Sequence, residues 1–366
     1  MTQRVLILGG QGRIGSHVAG DLLTHTQAAV TMTGRRLKMD LTLPDRMQFL
    51  SLALEDQAGV RQAIANHDLV IHCAGPFSYR DDQALQACIQ QGVNYLDVAD
   101  NPRYVQQSFT HREVAQATGV TAIVSTGVFP GISNSMVRQG VEQLDQADQI
   151  HLSYIVAGSG GAGVTVMRTT FLELQHPFKA WIEGQWQTIH PYSDREIVEF
   201  PHPYGKSSVY WFNTIEAMTL PAVFPVKTVI TKFGSLPNFY NHLTWLMAHW
   251  APKGWLRRPE TVEFLAKVSY RMTAVTDRFS GIDIAMRVDI TGEKEGRPAR
   301  YRSTVAHKDT AIAAGYGTGA IAQLLLAREL QKPGVWSVEQ ALSTDLFEKT
   351  LKQRGLEIQQ QFSYEN

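Results

Sequence analysis

Cysteine is scarce in this chain, since Cys73 and Cys88 are the only two among 366 residues. Two cysteines cannot supply a disulfide framework, so a reducing cytoplasm is the expected compartment. Neither sign of charge is in excess, because 34 acidic residues balance 34 basic ones, and this gives no electrostatic reason to expect nucleic acid. No apolar run approaches the ~20 residues of a membrane-spanning helix, and the N-terminus lacks a secretory-signal pattern. These absences favour a cytoplasmic globular protein, whose length fits two domains.

Two common kinds of catalytic site also lack their usual patterns. No pair of His or Cys residues has the spacing of metal ligands, so no metal is expected. The Gly-x-Ser-x-Gly turn that presents a nucleophilic serine does not occur either. Hydrolytic and metal-centred chemistry are therefore not expected.

The chain opens with a strand-like apolar run, a glycine-rich turn and a helical pattern, RVLILGGQGRIGSHVAGDLL. In this turn Gly10, Gly12 and Gly15 match G-x-G-x-x-G. Gly10 allows a tight turn, Gly12 lets the backbone approach a pyrophosphate, and Gly15 lets the helix pack close to the strand. The helix N-terminus offers N–H groups and the positive end of its dipole to phosphates. The pattern predicts a dinucleotide site, although glycine-rich turns also have purely structural uses.

The position that usually holds the adenosine ribose is not acidic here. NAD sites carry a carboxylate about 20 residues past the glycines, but Asp21, inside the first helix, is the only acidic residue between Gly15 and Arg36. Arg35 and Arg36 instead follow the second predicted strand, 28–33. Guanidinium groups can clamp a 2′-phosphate, which a carboxylate would repel. We therefore expect NADP(H) as the cofactor; the alternative is that both arginines are solvated in a loop.

Strand and helix patterns then alternate as far as residue 145. Strands are predicted over 47–54, 68–74, 94–98 and 121–125, and helices over 56–64, 81–91 and 102–118, with Asp56 as an N-cap. The alternation predicts right-handed crossovers and an N-terminal α/β domain over 1–145, a Rossmann domain with a doubly wound parallel sheet. The strand over 68–74 runs into Gly75-Pro76-Phe77, and loops at this end of such a sheet face the cofactor.

The segment 146–308 has the pattern of an α+β substrate domain. Strands are predicted over 150–157, 181–189, 197–200, 282–291 and 299–307. Separate sets of strands with helix between them predict a mixed sheet. The glycine-rich run 158–163 lacks the Lys-Ser/Thr of a P-loop, so we interpret it as a hinge or lid.

An aromatic stretch over 239–256 contains Trp245, Trp250 and Trp255. Such a stretch can bind a hydrophobic substrate or lie on a membrane interface, while a place in the core or in an oligomer face is the commoner alternative. It favours a partly hydrophobic small-molecule substrate, and it marks 239–256 as the candidate for a peripheral membrane contact.

Three further segments resemble the saccharopine dehydrogenase-like oxidoreductases: CAGPFSYRDDQALQACIQQGVNYLDVADN, GVFPGISNSM and KPGVWSVEQAL. The resemblance implies an NADP-dependent dehydrogenase or reductase with a helical segment, 309–366, packed back on the Rossmann domain. Saccharopine-forming members carry an acidic residue before the Pro-Gly of the second segment, where this chain has Phe129, so a different substrate is implied. By similarity, Gly10, Gly12, Arg13, Ile14 and Gly15 would line the pyrophosphate, Arg35 the 2′-phosphate, and Ala74, Gly75, Pro76 and Phe77 the nicotinamide side.

The proton donor is predicted close to the nicotinamide. Tyr79, two residues beyond Phe77, and Asp100 are the candidates, and Tyr79 can donate a proton to a developing alkoxide or amine; the alternative is a packed ring with a capped hydroxyl. Asp97 is expected only to cap a turn. We expect a homodimer that transfers hydride to a carbonyl, an imine or an activated double bond. The alternative is a nucleotide-binding protein without turnover, either redox-sensing or membrane-associated.

Overall fold

The structure is a computed structural model that describes residues 2–37, 43–158, 163–251, 254–255 and 258–365. The chain divides into two compact units. The first unit comprises Met1–Ile132 and Ala311–Arg354, and the second comprises Ser133–Thr310 and Gly355–Asn366. Most of the glycine-rich run interpreted as a hinge or lid, residues 159–162, lies outside the described residues.

Strands and helices are numbered here in chain order. The strands are β1 (Arg4–Leu8), β2 (Ala29–Gly34), β3 (Met47–Ser51), β4 (Leu69–His72), β5 (Asn94–Asp97), β6 (Thr121–Ile123), β7 (Gln146–Ala157), β8 (Phe178–Ile182), β9 (Gln185–Ile189), β10 (Glu196–Phe200), β11 (Gly205–Trp211), β12 (Thr228–Leu236), β13 (Ile284–Lys294), β14 (Arg297–His307), β15 (Gly334–Trp336) and β16 (Gln359–Tyr364). The helices are α1 (Arg13–His25), α2 (Gln57–Ala65), α3 (Gln83–Gln91), α4 (Pro102–Phe109), α5 (Arg112–Ala117), α6 (Ile132–Val141), α7 (Val164–Glu173), α8 (Ile215–Val223), α9 (Phe239–Trp250), α10 (Pro259–Ser280), α11 (Thr310–Leu326), α12 (Val338–Ala341) and α13 (Thr344–Gln353).

The first unit is built on a sheet of seven parallel strands in the order β15-β6-β5-β4-β1-β2-β3. Apart from β15, this is the strand order of a dinucleotide-binding Rossmann sheet, so the predicted doubly wound sheet is confirmed. The central strand β1 is buried along Val5–Leu8, as expected for a parallel strand covered on both faces. Strand order reverses between β1 and β4, and ligands of such sheets bind at the carboxyl ends of these strands.

Local capping explains where several helices begin. The side chain of Asp56 accepts a hydrogen bond from Gly59 N at 2.9 Å, so Asp56 caps α2 as predicted. Asn101 caps α4 in the same way by accepting from Tyr104 N at 3.1 Å, and Pro102 provides the first helical position.

Two predicted helical segments are different in the structure. The helix predicted over 102–118 is divided into α4 and α5. The main-chain N–H groups of Thr110 and His111 bond to carbonyl oxygens three residues earlier, which ends the first helix. The side chain of His111 is also held, since its Nε2 lies 2.6 Å from Asp82 Oδ2. The segment 309–366 is not only helical, since it also supplies β15 to the first sheet and β16 to the sheet of the second unit. A three-residue strand such as β15 carries too little periodicity to be recognised from sequence.

The second unit contains a seven-stranded mixed sheet in the order β10-β11-β12-β7-β13-β14-β16 and a separate hairpin of β8 and β9. Only β12 and β7 pair in parallel among the described strands of this sheet, which confirms the predicted mixed sheet. The turn between β13 and β14 is tighter than predicted, because the strands extend to Lys294 and from Arg297. Glu295 and Gly296, the turn residues, both have positive φ, as a two-residue hairpin turn requires.

None of the helices in the described ranges combines the length and the apolar character needed to cross a bilayer.

Candidate functional site

The glycine-rich turn after β1 is packed so closely that three of its positions admit no side chain. A Cβ on Gly10 would lie 2.7 Å from Cβ of Met32. A Cβ on Gly9, whose φ is +75°, would lie 2.8 Å from Cα of Ala74. A Cβ on Gly15 would lie 2.5 Å from the carbonyl oxygen of Gly9. The turn is closed by a hydrogen bond from Gly12 N to Gly9 O of 2.9 Å. These contacts hold the first turn of α1 against the end of β1.

The N-terminus of α1 has no side-chain cap. Its N-cap residue is Gly12, no side chain caps it, and the first turn contains no acidic residue. Gly12 and Arg13 are exposed. The first N–H groups of a helix have no partner within the helix, so those of Arg13, Ile14 and Gly15 face a ligand or solvent. Together with the helix dipole, they form a site suited to an anion.

The two arginines lie immediately beyond β2. Both side chains are exposed, and neither makes an ion pair with another described residue. Their main chain, in contrast, is held in place: Gln11 Nε2 donates to the carbonyl oxygen of Arg36 at 2.9 Å, and Ser51 Oγ donates to that of Arg35 at 3.1 Å. The main chain of Arg36 is thus held next to the glycine-rich turn, and no described residue forms an ion pair with either guanidinium group.

The segment Ala74–Phe77 follows β4 along the same edge of the sheet. Cys73 N donates to Leu8 O at 2.8 Å, which places Ala74 against Gly9. Arg80 Nε donates to the carbonyl oxygen of Ala74 at 2.9 Å. The ring of Phe77 is buried. This segment and the glycine-rich turn are therefore neighbours in the first unit.

The two proposed proton donors have different surroundings. Tyr79 ends the short 3-10 turn Phe77–Tyr79, and its side chain is 56% exposed. Asp100 is half-buried in the loop after β5. The main-chain N–H of Tyr79 donates to Pro76 O at 3.1 Å, but no described residue makes a hydrogen bond to its hydroxyl.

Asp97, at the end of β5, is a buried carboxyl group that joins two loops. Its Oδ1 accepts hydrogen bonds from Ala99 N at 3.0 Å and from Ser125 N at 2.7 Å. Asp97 therefore caps the turn after β5, as predicted, but it also fixes the loop after β6. Its Oδ2 is buried, and no described residue makes a hydrogen bond to it. Burial raises the pKa of Asp97 to about 7, although the two main-chain N–H groups lower it.

His72, at the end of β4, is buried beside this carboxyl-bearing strand. Burial lowers the pKa of His72 to about 3, so the ring is neutral. Its Nδ1 lies 3.3 Å from the hydroxyl of Tyr95, which in turn lies 2.9 Å from the hydroxyl of Tyr104. Its Nε2 is buried and has no hydrogen-bond partner in the part of the chain that the structure describes. The sequence patterns do not single out His72 as a functional residue. The one signal for it is that a polar residue ends the otherwise apolar strand β4.

The tryptophans of 239–256 lie in the second unit and are not core residues. Trp245 and Trp250 are on α9 and Trp255 follows it, and all three are exposed. The tryptophans are therefore not part of the core, whereas Met247, Ala248 and Ala251 of the same stretch pack against a core cluster of the second unit.

Comparison with known proteins identifies the first unit. Residues 5–123 match the family model of the saccharopine dehydrogenase NADP binding domain. The matched range contains the glycine-rich turn, both arginines, the segment Ala74–Phe77 and the two proposed proton donors. This match bears out the expected family resemblance and the expected cofactor, NADP(H).

Similarity to whole proteins extends beyond this domain. The chain is 26% identical to carboxynorspermidine synthase of Vibrio cholerae over 322 residues, which cover 79% of this chain and 76% of that protein. It is 25% identical to carboxyaminopropylagmatine dehydrogenase of Synechocystis sp. over 323 residues, which cover 79% and 78%. The solved structure of L-Glu-forming saccharopine dehydrogenase from Saccharomyces cerevisiae has a TM-score of 0.71 at 14% identity and covers 99% of this chain and 100% of that one. At this identity the structural likeness concerns the fold.

Proposed function

Because the chain is an NADP-dependent oxidoreductase of the saccharopine dehydrogenase-like type, we propose that it uses NADPH to reduce the C=N bond of an imine to a secondary amine. The names of the two curated relatives refer to carboxylated amines, and imine reduction yields an amine. The observation that carries the cofactor side of the proposal is the N-terminus of α1, without a side-chain cap, next to two arginines that make no ion pair with the other described residues.

The residues of the first unit would hold the cofactor in a fixed orientation. The main-chain N–H groups of Arg13, Ile14 and Gly15 would bind the pyrophosphate, and Arg35 and Arg36 would bind the 2′-phosphate. The segment Ala74–Phe77 would line the nicotinamide side, since it borders the glycine-rich turn. Bound NADPH supplies the hydride, which goes to the imine carbon.

The reduced nitrogen must also receive a proton. We assign this step to Tyr79, whose exposed hydroxyl follows the nicotinamide-lining segment, with Asp100 as the second candidate. A Tyr79→Phe substitution keeps the ring and removes the proton. It should lower turnover about 100-fold or more, while the affinity for NADPH stays unchanged. Unchanged turnover would remove Tyr79 from the mechanism.

The residue before Pro130 supports a substrate other than saccharopine. Phe129 is half-buried, and its apolar ring cannot form an ion pair with the ammonium group of an amino acid. A partly hydrophobic amine or aldehyde suits this position better. Phe129→Glu should therefore weaken the binding of such a substrate without changing the affinity for NADPH.

The reaction class can be tested by following NADPH oxidation at three kinds of substrate. Mixtures of an aldehyde with a primary diamine contain imines; the aldehyde alone offers only a carbonyl, and an enone offers an activated double bond. We expect oxidation with the mixtures only, with a secondary amine as the product detected by mass spectrometry. Equal rates with the aldehyde alone would indicate a carbonyl reductase instead. Tight NADPH binding without turnover in any mixture would favour the alternative, a nucleotide-binding protein that does not catalyse a reaction.

We place this activity in a reducing compartment, the cytoplasm. Cys73 and Cys88 are both free thiols, and burial raises the pKa of each thiol above its ordinary value. Neither group is thus an activated nucleophile.

A further inference from the structure

Helix α10 of the second unit has apolar residues on two opposite sides. Val262, Ala266 and Thr273 are buried on one side, where α10 packs against α7. Phe264, Val268 and Val275 each lie two positions further along, which is about 200° around the helix, and all three are exposed. A helix that is apolar all round is normally buried. One side of α10 is covered by the second unit, and the other is not.

The exposed apolar side of α10 is continuous over most of its length. It comprises Phe264, Val268, Met272, Val275 and Phe279, which recur at intervals of three or four residues. Phe279 is 88% exposed. Scattered exposed apolar residues need no explanation, but a continuous stripe marks a surface that contacts something.

The neighbouring helix α9 presents a similar face on the same side of the second unit. Its inner residues Met247 and Ala248 pack on the same cluster as Val262 and Ala266 of α10, and Tyr240 at its start is 2.7 Å from Thr276 near the end of α10. The two helices are therefore adjacent and antiparallel. The outward residues of α9 are Phe239, Trp245, Leu246 and Trp250, the last of which is 74% exposed.

Basic side chains lie along most of this surface, while acidic ones lie at the start of α10, where Glu260 is exposed and Glu263 Oε1 is 3.3 Å from Lys267 Nζ. Between Phe264 and Phe279 the exposed charged side chains are Lys267, Arg271 and Arg278, while Asp277 is half-buried. Helix α9 has no acidic or basic side chain apart from His242 and His249. The outer face, defined as the outward apolar residues of α9 and α10 with Arg271 and Arg278, therefore combines aromatic and aliphatic groups with two cations that make no ion pair with another described residue.

We propose that the outer face binds the surface of a lipid bilayer that contains anionic lipids. Helices that lie in a membrane interface insert Trp, Phe and Leu side chains and place Lys and Arg at the headgroups. Long basic side chains can keep their charge at the headgroups while their stems cover apolar surface. Each such cation near anionic headgroups raises the affinity of the protein for the membrane about fivefold. The balanced net charge of the whole chain hides this local excess.

The same charges argue against a second copy of the chain as the occupant. Helices that pair across an apolar seam usually bring opposite charges together beside it. On a second copy, Arg271 and Arg278 would find Glu260 as the exposed carboxylate of α10 outside an ion pair among the described residues, because Glu263 is already held by Arg168 and Lys267. The homodimer expected from the sequence would then use another surface.

The proposal is tested by flotation of the full-length protein with phosphatidylcholine vesicles that contain or lack phosphatidylglycerol. We expect binding to the anionic vesicles that weakens as salt is raised, with a blue shift of tryptophan emission as Trp245 and Trp250 enter the interface. Arg271→Gln together with Arg278→Gln should lower the partition coefficient about 25-fold. Val275→Ser together with Phe279→Ser should abolish binding.

The control variants carry the same types of substitution, apolar to serine and arginine to glutamine, at exposed residues outside the outer face. Ile197→Ser alters an exposed apolar residue of β10, and Arg61→Gln alters an exposed cation of α2; neither should change vesicle binding. The affinity of every variant for NADPH should equal that of the wild type, which separates this proposal from the proposed reductase activity. Absence of binding to anionic vesicles, or equal binding by the outer-face variants, would overturn the proposal. A dimer in sedimentation that Val275→Ser and Phe279→Ser convert to a monomer would also overturn it and assign the face to a second copy.

Discussion

The side-chain amide of Gln11 donates a hydrogen bond to the main-chain carbonyl of Arg36, with 2.9 Å between Nε2 and the oxygen. Gln11 lies within the glycine-rich turn, and Arg36 lies just beyond β2. A Cβ on Gly34 would be only 2.8 Å from the same Nε2 atom, so the glycine at the end of β2 leaves room for the amide in this position. The proposed pyrophosphate and 2′-phosphate sites are therefore joined by one side chain.

Replacing Gln11 should weaken the discrimination between the two nicotinamide cofactors. Gln11→Ala removes the bond that orders the main chain at Arg36, and a lost hydrogen bond of this kind is worth about 1 kcal/mol. We expect the Kd for NADPH to rise about fivefold, while the Kd for NADH changes less. Isothermal titration of both cofactors measures this, and an equal rise for both would show that Gln11 acts on the glycine-rich turn alone.

Two glycines of α1 should respond to alanine in opposite directions. Gly15→Ala places its Cβ against the main chain of Gly9, so it should destabilise the first unit and reduce the binding of both cofactors. Gly20→Ala meets no neighbouring atom within 4 Å, and the gain in helix propensity should stabilise the protein by about 0.5–1 kcal/mol. Thermal unfolding compares the two, and a destabilising Gly20→Ala would contradict the expectation.

Asp21 and Arg354 form a buried bidentate ion pair within the first unit. Arg354 Nη2 lies 2.6 Å from Asp21 Oδ2 and Nε lies 2.9 Å from Oδ1, and both side chains are almost fully buried. Arg354→Met leaves a buried carboxyl group without its partner, so it should lower the free energy of unfolding by about 3–5 kcal/mol. Asp21→Asn in the same chain should restore part of this loss.

A matched pair at the surface of the same unit provides the control. Lys349 and Glu329 are 2.6 Å apart, but both are substantially exposed. Lys349→Met should change the free energy of unfolding by no more than about 1 kcal/mol. Chemical denaturation measures both variants, and similar losses for Arg354→Met and Lys349→Met would show that burial does not decide the strength of these pairs.

The raised pKa of Asp97 predicts a definite dependence of stability on pH. The pKa of Asp97 in the native protein, about 7, lies above that in the unfolded chain. The contribution of Asp97 to the free energy of unfolding is therefore greatest below about pH 4 and is lost as the pH rises towards 7. Asp97→Asn keeps an oxygen acceptor for Ser125 N and Ala99 N but does not ionise. The variant should gain about 4 kcal/mol relative to the wild type between pH 4 and pH 8.

The pKa of His72 is lowered rather than raised. Its effect on stability cancels in this comparison, because His72 is present in both the wild type and Asp97→Asn. Asp81→Asn, at an exposed carboxylate, should show no such gain. Denaturation curves at a series of pH values measure the difference, and a constant difference across this range would mean that Asp97 is ionised throughout.

The parallel sheet could be predicted because its signals are local. The run Arg4–Leu8, the glycines after it and the alternation of strands and helices each lie within a few dozen residues. The absence of an acidic residue near Arg35 is also a local feature, and it indicated NADP(H). Element boundaries were less accurate, as the division of α4 from α5 shows.

The remaining features depend on contacts between distant parts of the chain. Asp97 meets Ser125 across two strands, and Asp21 finds its partner 333 residues later. His72 and Asp97 each have a buried side-chain atom without a hydrogen-bond partner among the described residues. Such burial depends on the folded structure and cannot be predicted from a short sequence pattern. The three tryptophans were visible in the sequence, but their exposure, and the cations beside them on α10, are properties of the folded second unit.

The most direct test of the account is a titration of the protein with NADPH and with NADH, for the wild type and for Arg35→Ala with Arg36→Ala. Losing charge-assisted hydrogen bonds to a phosphate should raise the Kd for NADPH about 10- to 100-fold per arginine and leave the Kd for NADH nearly unchanged. Arg61→Ala, at an exposed arginine of α2, should alter neither. If the wild type does not prefer NADPH, or if the preference survives the double substitution, the assignment of Arg35 and Arg36 to the 2′-phosphate is contradicted.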